Sequence, residues 1–117
     1  LQQEYRKVKF ICTPLTKEAM ILLDTDDCPI SLLANCPLTH TEYQQLMGSG
    51  VIDKINNSLG KMIDDYEDES INTNEDLKKS LYILENHSIP ENQELARKII
   101  KLNKLAIDNN TGLYFFF

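Results

Sequence analysis

Three observations predict an α+β fold. Residues 5–12 alternate apolar and charged side chains, as a strand does. Residues 113–117 (LYFFF) are a run of β-forming aromatics. Between them, three segments repeat apolar residues every three or four positions, the period of a helix with one buried stripe.

The first strand places Val8, Phe10 and Cys12 on one side and Lys7 and Lys9 on the other, which predicts half-burial. Thr13-Pro14 should interrupt it, because proline has no N–H for a ladder. Residues 19–23 (AMILL) form a short continuous apolar run. Its length predicts a buried strand, with a helical turn beginning near Thr16 as the alternative. Asp24-Thr25-Asp26-Asp27-Cys28-Pro29 reads as a loop, and residues 30–38 fit either a loop or a short helix.

Thr39 followed by Glu42 has the form of a capping box and opens a helix over 40–47, which Gly48-Ser49-Gly50 closes. A longer helix over 51–65 follows, striped by Ile52, Ile55, Leu59, Met62, Ile63 and Tyr66. Residues 67–73 read as a polar link. Asn74 can cap a helix over 75–87, with Glu75 and Asp76 at its positive end and Leu77, Leu81 and Leu84 facing inward. Ser88 to Pro90 should end that helix and start another over 91–107, since proline is tolerated in a first turn. Leu95, Ile99, Leu102, Leu105 and Ala106 form its stripe. These last two helices predict an antiparallel hairpin, and Asn109 to Gly112 a turn. The whole is one domain over 1–117, with about four helices on a two- to three-stranded sheet. The N-terminal and C-terminal strands should be neighbours in it. The last strand is apolar on both faces, so it should lie deep in the sheet or be covered on both sides.

At 117 residues and 42% hydrophobic content, the chain is of a size and composition to fold around one core. No apolar run approaches the ~20 residues that cross a bilayer, and residues 1–9 carry no apolar signal-peptide core. The three cysteines form no CxxC pair, so reduced thiols and a cytoplasmic location are expected.

Charge is unevenly spread. Residues 1–17 carry +3, residues 18–76 carry −11 and residues 77–117 carry +2, within a net charge of −6. A concentrated acidic middle attracts basic surfaces and repels phosphate backbones, which disfavours nucleic acid as a partner. Its densest part is Asp64-Asp65-Tyr66-Glu67-Asp68-Glu69. Read as the C-terminal end of a helix, these carboxylates oppose the macrodipole, each at ~0.3–1 kcal/mol. Such placement points to a docking patch for lysines and arginines, with Tyr66 as an aromatic anchor; a solvated helix end is the structural alternative. Asp24, Asp26 and Asp27 are a second candidate for the same partner surface. They do not make a calcium loop, because Pro29 and Asn35 stand where the glycine and the bidentate acid belong.

Cys28, Cys36 and His40 fall as C-x7-C-x3-H, looser than the cysteine pairs of a zinc site, so no metal and no cofactor are expected. A cysteine nucleophile with His40 or His87 as base has the residue types but no local signature. No phosphate-binding glycine loop, HExxH or GxSxG occurs, and no enzymatic role is expected.

In size, acidity, α+β make-up and lack of catalytic motifs, the chain resembles the immunity proteins that bacteria make against nuclease toxins, such as those of contact-dependent inhibition systems. The stretches that carry this are DDYEDES at 64–70, DTDD at 24–27 and NNTGLYFFF at 109–117. The resemblance implies a one-to-one complex in which acidic groups fill the positive cleft of a basic nuclease domain. Two other classes remain open: a helical adaptor binding through an apolar face, and an enzyme using Cys36 and His40.

Overall fold

A computed structural model describes residues 8–87 and 89–117. Its elements run β1 (Lys9–Pro14), α1 (Lys17–Asp24), a 3-10 turn (Ile30–Leu32), β2 (Leu33–Leu38), α2 (His40–Gly48), α3 (Val51–Leu59), β3 (Asp68–Ile71), α4 (Asn74–Asn86), α5 (Gln93–Asn109) and β4 (Leu113–Phe116). The four strands make one antiparallel sheet in the order β2-β1-β4-β3. As expected, the first and last strands are neighbours, and the aromatic strand β4 lies inside the sheet, with Leu113, Tyr114 and Phe115 buried and Phe116 half-buried. Five helices and four strands among the described residues exceed the number expected, and each addition has a local cause.

The run 19–23 is helical because Thr16 caps it, its side chain accepting from the Ala19 N–H at 3.0 Å. Within α1 only Ala19 is buried. Residues 33–38 form a strand despite Pro37. Proline is tolerated on an edge strand where its nitrogen points away from the ladder, and β2 is an edge. Pro14 likewise sits at the very end of β1. The polar link hides a strand: β3 is the other edge, short and acidic, as exposed edges tend to be.

The helix expected over 51–65 stops at Leu59. Gly60 adopts φ +66, which favours glycine, and the Lys61 N–H returns to the Asn56 carbonyl. The Asn56 side chain then binds both the N–H and the C=O of Ile63, at 2.9 and 3.0 Å, turning the chain back. Ile63 is buried from coil, whereas Met62 and Tyr66 of the expected stripe are exposed. The capping box of α2 forms as expected. Thr73, one residue before Asn74, caps α4, and Asn92 caps α5 after Pro90. The expected start of the first strand at residues 5–7, with Lys7, and the helix-ending role of Ser88 lie outside the described residues.

The two faces of the sheet differ. Ile11, Cys36, Leu38, Ile71, Leu113, Phe115 and Phe117 join one core with residues of α2, α3, α4 and α5. Ser80 and Asn103 are buried within it and satisfy each other: Ser80 Oγ donates to Asn103 Oδ1 at 2.6 Å, and Asn103 Nδ2 donates to the Leu77 carbonyl at 2.9 Å. On the second face Phe10 and Cys12 of β1 lie beside Phe116 and Tyr114 of β4. The expectation that Phe10 and Cys12 mark the single buried side is corrected. Ile11, of the opposite parity, faces the main core, and Cys12 is buried as well.

Candidate functional site: an acidic rim around the second sheet face

The second face of the sheet is overlain by α1 and the loop that follows it, and a concavity remains. One part, of about 320 Å³, is lined by Leu23, Asp24, Asp26, Asp68, Glu69, Ser70, Tyr114 and Phe116. The adjoining part, about 260 Å³, shares Leu23, Asp26, Asp68 and Phe116 and adds Phe10, Cys28, Ile30 and Leu33. The acidic loop and the acidic strand, far apart in sequence, therefore face one another across an aromatic floor. Phe10 and Phe116 touch at a ring separation of 4.9 Å, and Phe116 stacks on Tyr114 at 6.2 Å.

The loop is shaped by the end of α1. The N–H groups of Thr25, Asp26 and Asp27 bond back to the Leu22 and Leu23 carbonyls, and Asp26 takes φ +60. Aspartate is among the few side chains that accept this conformation readily. The Tyr114 hydroxyl donates to Asp24 Oδ1 at 3.1 Å, which fixes that carboxylate on the rim. Burial, and then this bond, push the Tyr114 phenol above its ordinary range. Asp27 is exposed beside Asp26.

The 64–69 run does not end a helix. Asp64 to Glu67 form a turn, closed by the Glu67 N–H on the Asp64 carbonyl at 3.1 Å, and Asp68-Glu69 begin β3. The helix-dipole cost assigned to these acids on sequence grounds therefore does not arise.

The run also divides in two. Asp65 is committed internally: it accepts from the Tyr43 hydroxyl at 2.6 Å and pairs with Lys9 at 3.2 Å. The Tyr43 bond, followed by Lys9, holds its carboxyl below the usual range. Lys9 also donates to the Phe117 carbonyl at 2.7 Å and lies over the Tyr43 and Tyr66 rings. Asp64 accepts from the Asp65 N–H, and Glu69 from the N–H groups of Met62 and Ser70. Tyr66 is 66% exposed, at φ +62. Asp68 shares the face of Phe116 and lines the concavity, whereas Glu69, in register with Phe115, falls on the helix side, where Asp65 is held by Lys9 and Tyr43.

Sequence reasoning missed Phe10, Tyr114 and Phe116 as floor residues, although the period-two pattern of LYFFF separates Tyr114 and Phe116 from Leu113 and Phe115. Lys9 was missed because alternation placed it outward.

The cysteines do not converge with His40. Cys28 lies over the second face, Cys36 is in the main core and His40 opens α2 at the surface. Burial pushes the Cys12 thiol up to about 12 and raises Cys36, where Lys98 only partly opposes it. Both favour the protonated, unreactive form. Among the described residues no three His, Cys, Asp or Glu side chains are placed to hold a metal, and no helix is long and apolar enough to cross a membrane.

Set against known protein families, curated proteins and solved structures, the chain matches none. Its functional reading therefore rests on this geometry.

Proposed function

We propose that the chain is an acidic protein-binding inhibitor, an immunity protein that neutralises a basic nuclease toxin domain in the cytoplasm. It acts by binding and not by catalysis, one-to-one, by occluding the partner's positive cleft. The observation that carries this reading is the meeting of Asp24 and Asp26 with Asp68 around the Phe10–Phe116–Tyr114 floor. Carboxylates on two rims provide the field that draws in lysines and arginines. Aromatic faces below accept their apolar stems and attract their charged heads. Tyr66, exposed on the 64–67 turn beside Lys9, supplies a further aromatic contact. Steered association of this kind reaches ~10⁸–10⁹ M⁻¹s⁻¹ at low salt, which suits an inhibitor that must reach a toxin before the toxin reaches nucleic acid.

A second reading, an adaptor that binds through an apolar face, is favoured by Ile30, 70% exposed where it lines the same concavity, and by Ile21 of α1, 65% exposed. Salt separates the two. The test is to capture the basic partner from the source cell at low salt and assay its nuclease activity with the protein added. Inhibition should saturate at one equivalent, weaken steeply between about 0.05 and 0.5 M salt, and be lost in the Asp24→Asn/Asp26→Asn/Asp68→Asn variant. Affinity that ignores salt would favour the adaptor. Inhibition unchanged in the triple amide variant would reject the acidic concavity.

A further inference from the structure

The opposite edge of the sheet carries a different surface. Among the described residues β2 pairs only with β1, and its outer rim carries no strand. The Leu15 N–H bonds to the Leu32 carbonyl at 3.0 Å, which sets the parity of the ladder. In the same register Ala34, Cys36 and Leu38 point their backbone groups at β1, and Leu33, Asn35 and Pro37 point theirs outward. The Leu33 N–H is already taken by the Ile30 carbonyl. The rim therefore offers the Asn35 N–H and the carbonyls of Leu33, Asn35 and Pro37.

A groove of about 530 Å³ runs along this rim. It is lined by β2 residues of both parities, Ala34 to Pro37, and by Glu42, Lys98, Lys101, Leu102 and Leu105. Lining by both parities means that it follows the strand's edge and not one face of the sheet.

The charge of the groove is set by α5. Of the bases on that helix, Arg97 pairs with Glu94 at 2.7 Å and Lys104 with Glu85 at 3.8 Å. Among the described residues no carboxylate lies within ion-pair distance of Lys98 or Lys101, the two that flank the groove. Among the described residues Glu42 is the one acid in the lining; its carboxylate is held by the Thr39 N–H at 2.8 Å in the capping box, and the two lysines outnumber it. In a chain of net charge −6, this is a local site for anionic side chains.

We propose that this groove binds an extended acidic segment of a partner protein, which adds to the sheet as a strand beside β2. Its main chain exchanges both bonds with Asn35 and donates to the Leu33 and Pro37 carbonyls, about four bonds in all. Every second side chain turns toward α5, where carboxylates meet Lys98 and Lys101 and an apolar side chain meets Leu102 and Leu105. Pro37 limits the rim to one free donor, which guards against indiscriminate edge pairing while leaving the site open. This proposal does not depend on the acidic concavity, and either can fail alone.

The test is a titration of the ¹⁵N-labelled protein with the capped peptide Thr-Glu-Thr-Leu-Thr-Glu-Thr and with its counterpart carrying lysine for glutamate. The expected result is a shift of the Asn35 amide and its neighbours with the acidic peptide alone. Affinity should fall at least tenfold in Lys98→Glu/Lys101→Glu, whose side chains are exposed and leave the fold intact. It should be lost in Asn35→Pro. Should the proline variant lose its native circular dichroism, the lysine variant decides. Four outcomes would overturn the proposal: no shift at millimolar peptide, equal binding of both peptides, shifts away from β2, or a β2-mediated dimer in sedimentation that excludes the peptide.

Discussion

The two faces of the sheet are built from the same strands and do different work. On the helix side Ile11, Phe115 and Phe117 meet four helices in one core, and even the buried Ser80 and Asn103 satisfy each other. On the other side Cys12, Ala19 and Tyr114 are buried, but α1 leaves the floor open toward Asp26 and Asp68. The main core lies on the first face, and Asp24, Asp26 and Asp68 rim the second. Substitutions should therefore separate folding from binding according to the face they touch.

The largest expected effect is on the helix side. Phe115→Ala removes a fully buried ring and should cost about 3–5 kcal/mol in denaturant unfolding. Asn103→Ala removes two buried hydrogen bonds, to the Ser80 hydroxyl and the Leu77 carbonyl, while the Ser80–Leu77 bond at 3.0 Å remains, and it should cost about 1–3 kcal/mol by the same measurement. Smaller is the node that ties the 64–67 turn to the sheet. Tyr43→Phe removes the hydroxyl donated to Asp65 and should cost about 1 kcal/mol.

That node also fixes a pH dependence. Folding depresses the Asp65 pKa, so the contribution is complete above the unfolded value of about 3.9 and is lost as pH falls through the lower folded value. Midpoints measured between about pH 5 and pH 2 should drop less in Tyr43→Phe than in the parent protein. The carboxylate is half exposed, so the difference should be small.

The smallest stability effects are expected on the second face. Asp26→Asn and Ile30→Ser should each change stability by no more than about 0.5 kcal/mol. A large loss from either would erase the contrast between the faces. The thiols sharpen the same comparison: alkylation of the native protein, followed by mass spectrometry, should modify the half-exposed Cys28 before the buried Cys12 and Cys36.

Much of the architecture was legible in the sequence because it is written in local patterns. The Thr39–Glu42 box, the α5 stripe and the doubly apolar LYFFF strand each carry their own signal. The missed elements depend on context. AMILL is equally apolar as strand or helix, and the Thr16 cap decides it. Residues 33–38 contain a proline that only an edge can absorb. β3, with Asp68 and Glu69, has no hydrophobic alternation, because an edge strand here is acidic.

The candidate site was legible as residues and not as a site. Both acidic stretches were visible, but their meeting depends on β3 lying beside β4, and nothing local announces that. The division of the 64–69 run, with Asp65 tied to Lys9 and Asp68 turned to the concavity, is a tertiary fact. The acids do not terminate a helix, because Gly60 and the Asn56–Ile63 clasp end α3 before they begin.

Titrating the ¹⁵N-labelled protein with hexa-arginine at low salt asks where this surface accepts cations. The account expects saturable shifts centred on Asp24, Asp26, Asp68 and Ser70 that vanish in Asp24→Asn/Asp26→Asn/Asp68→Asn. Shifts spread evenly over every acidic stretch, or persisting in that variant, would contradict it.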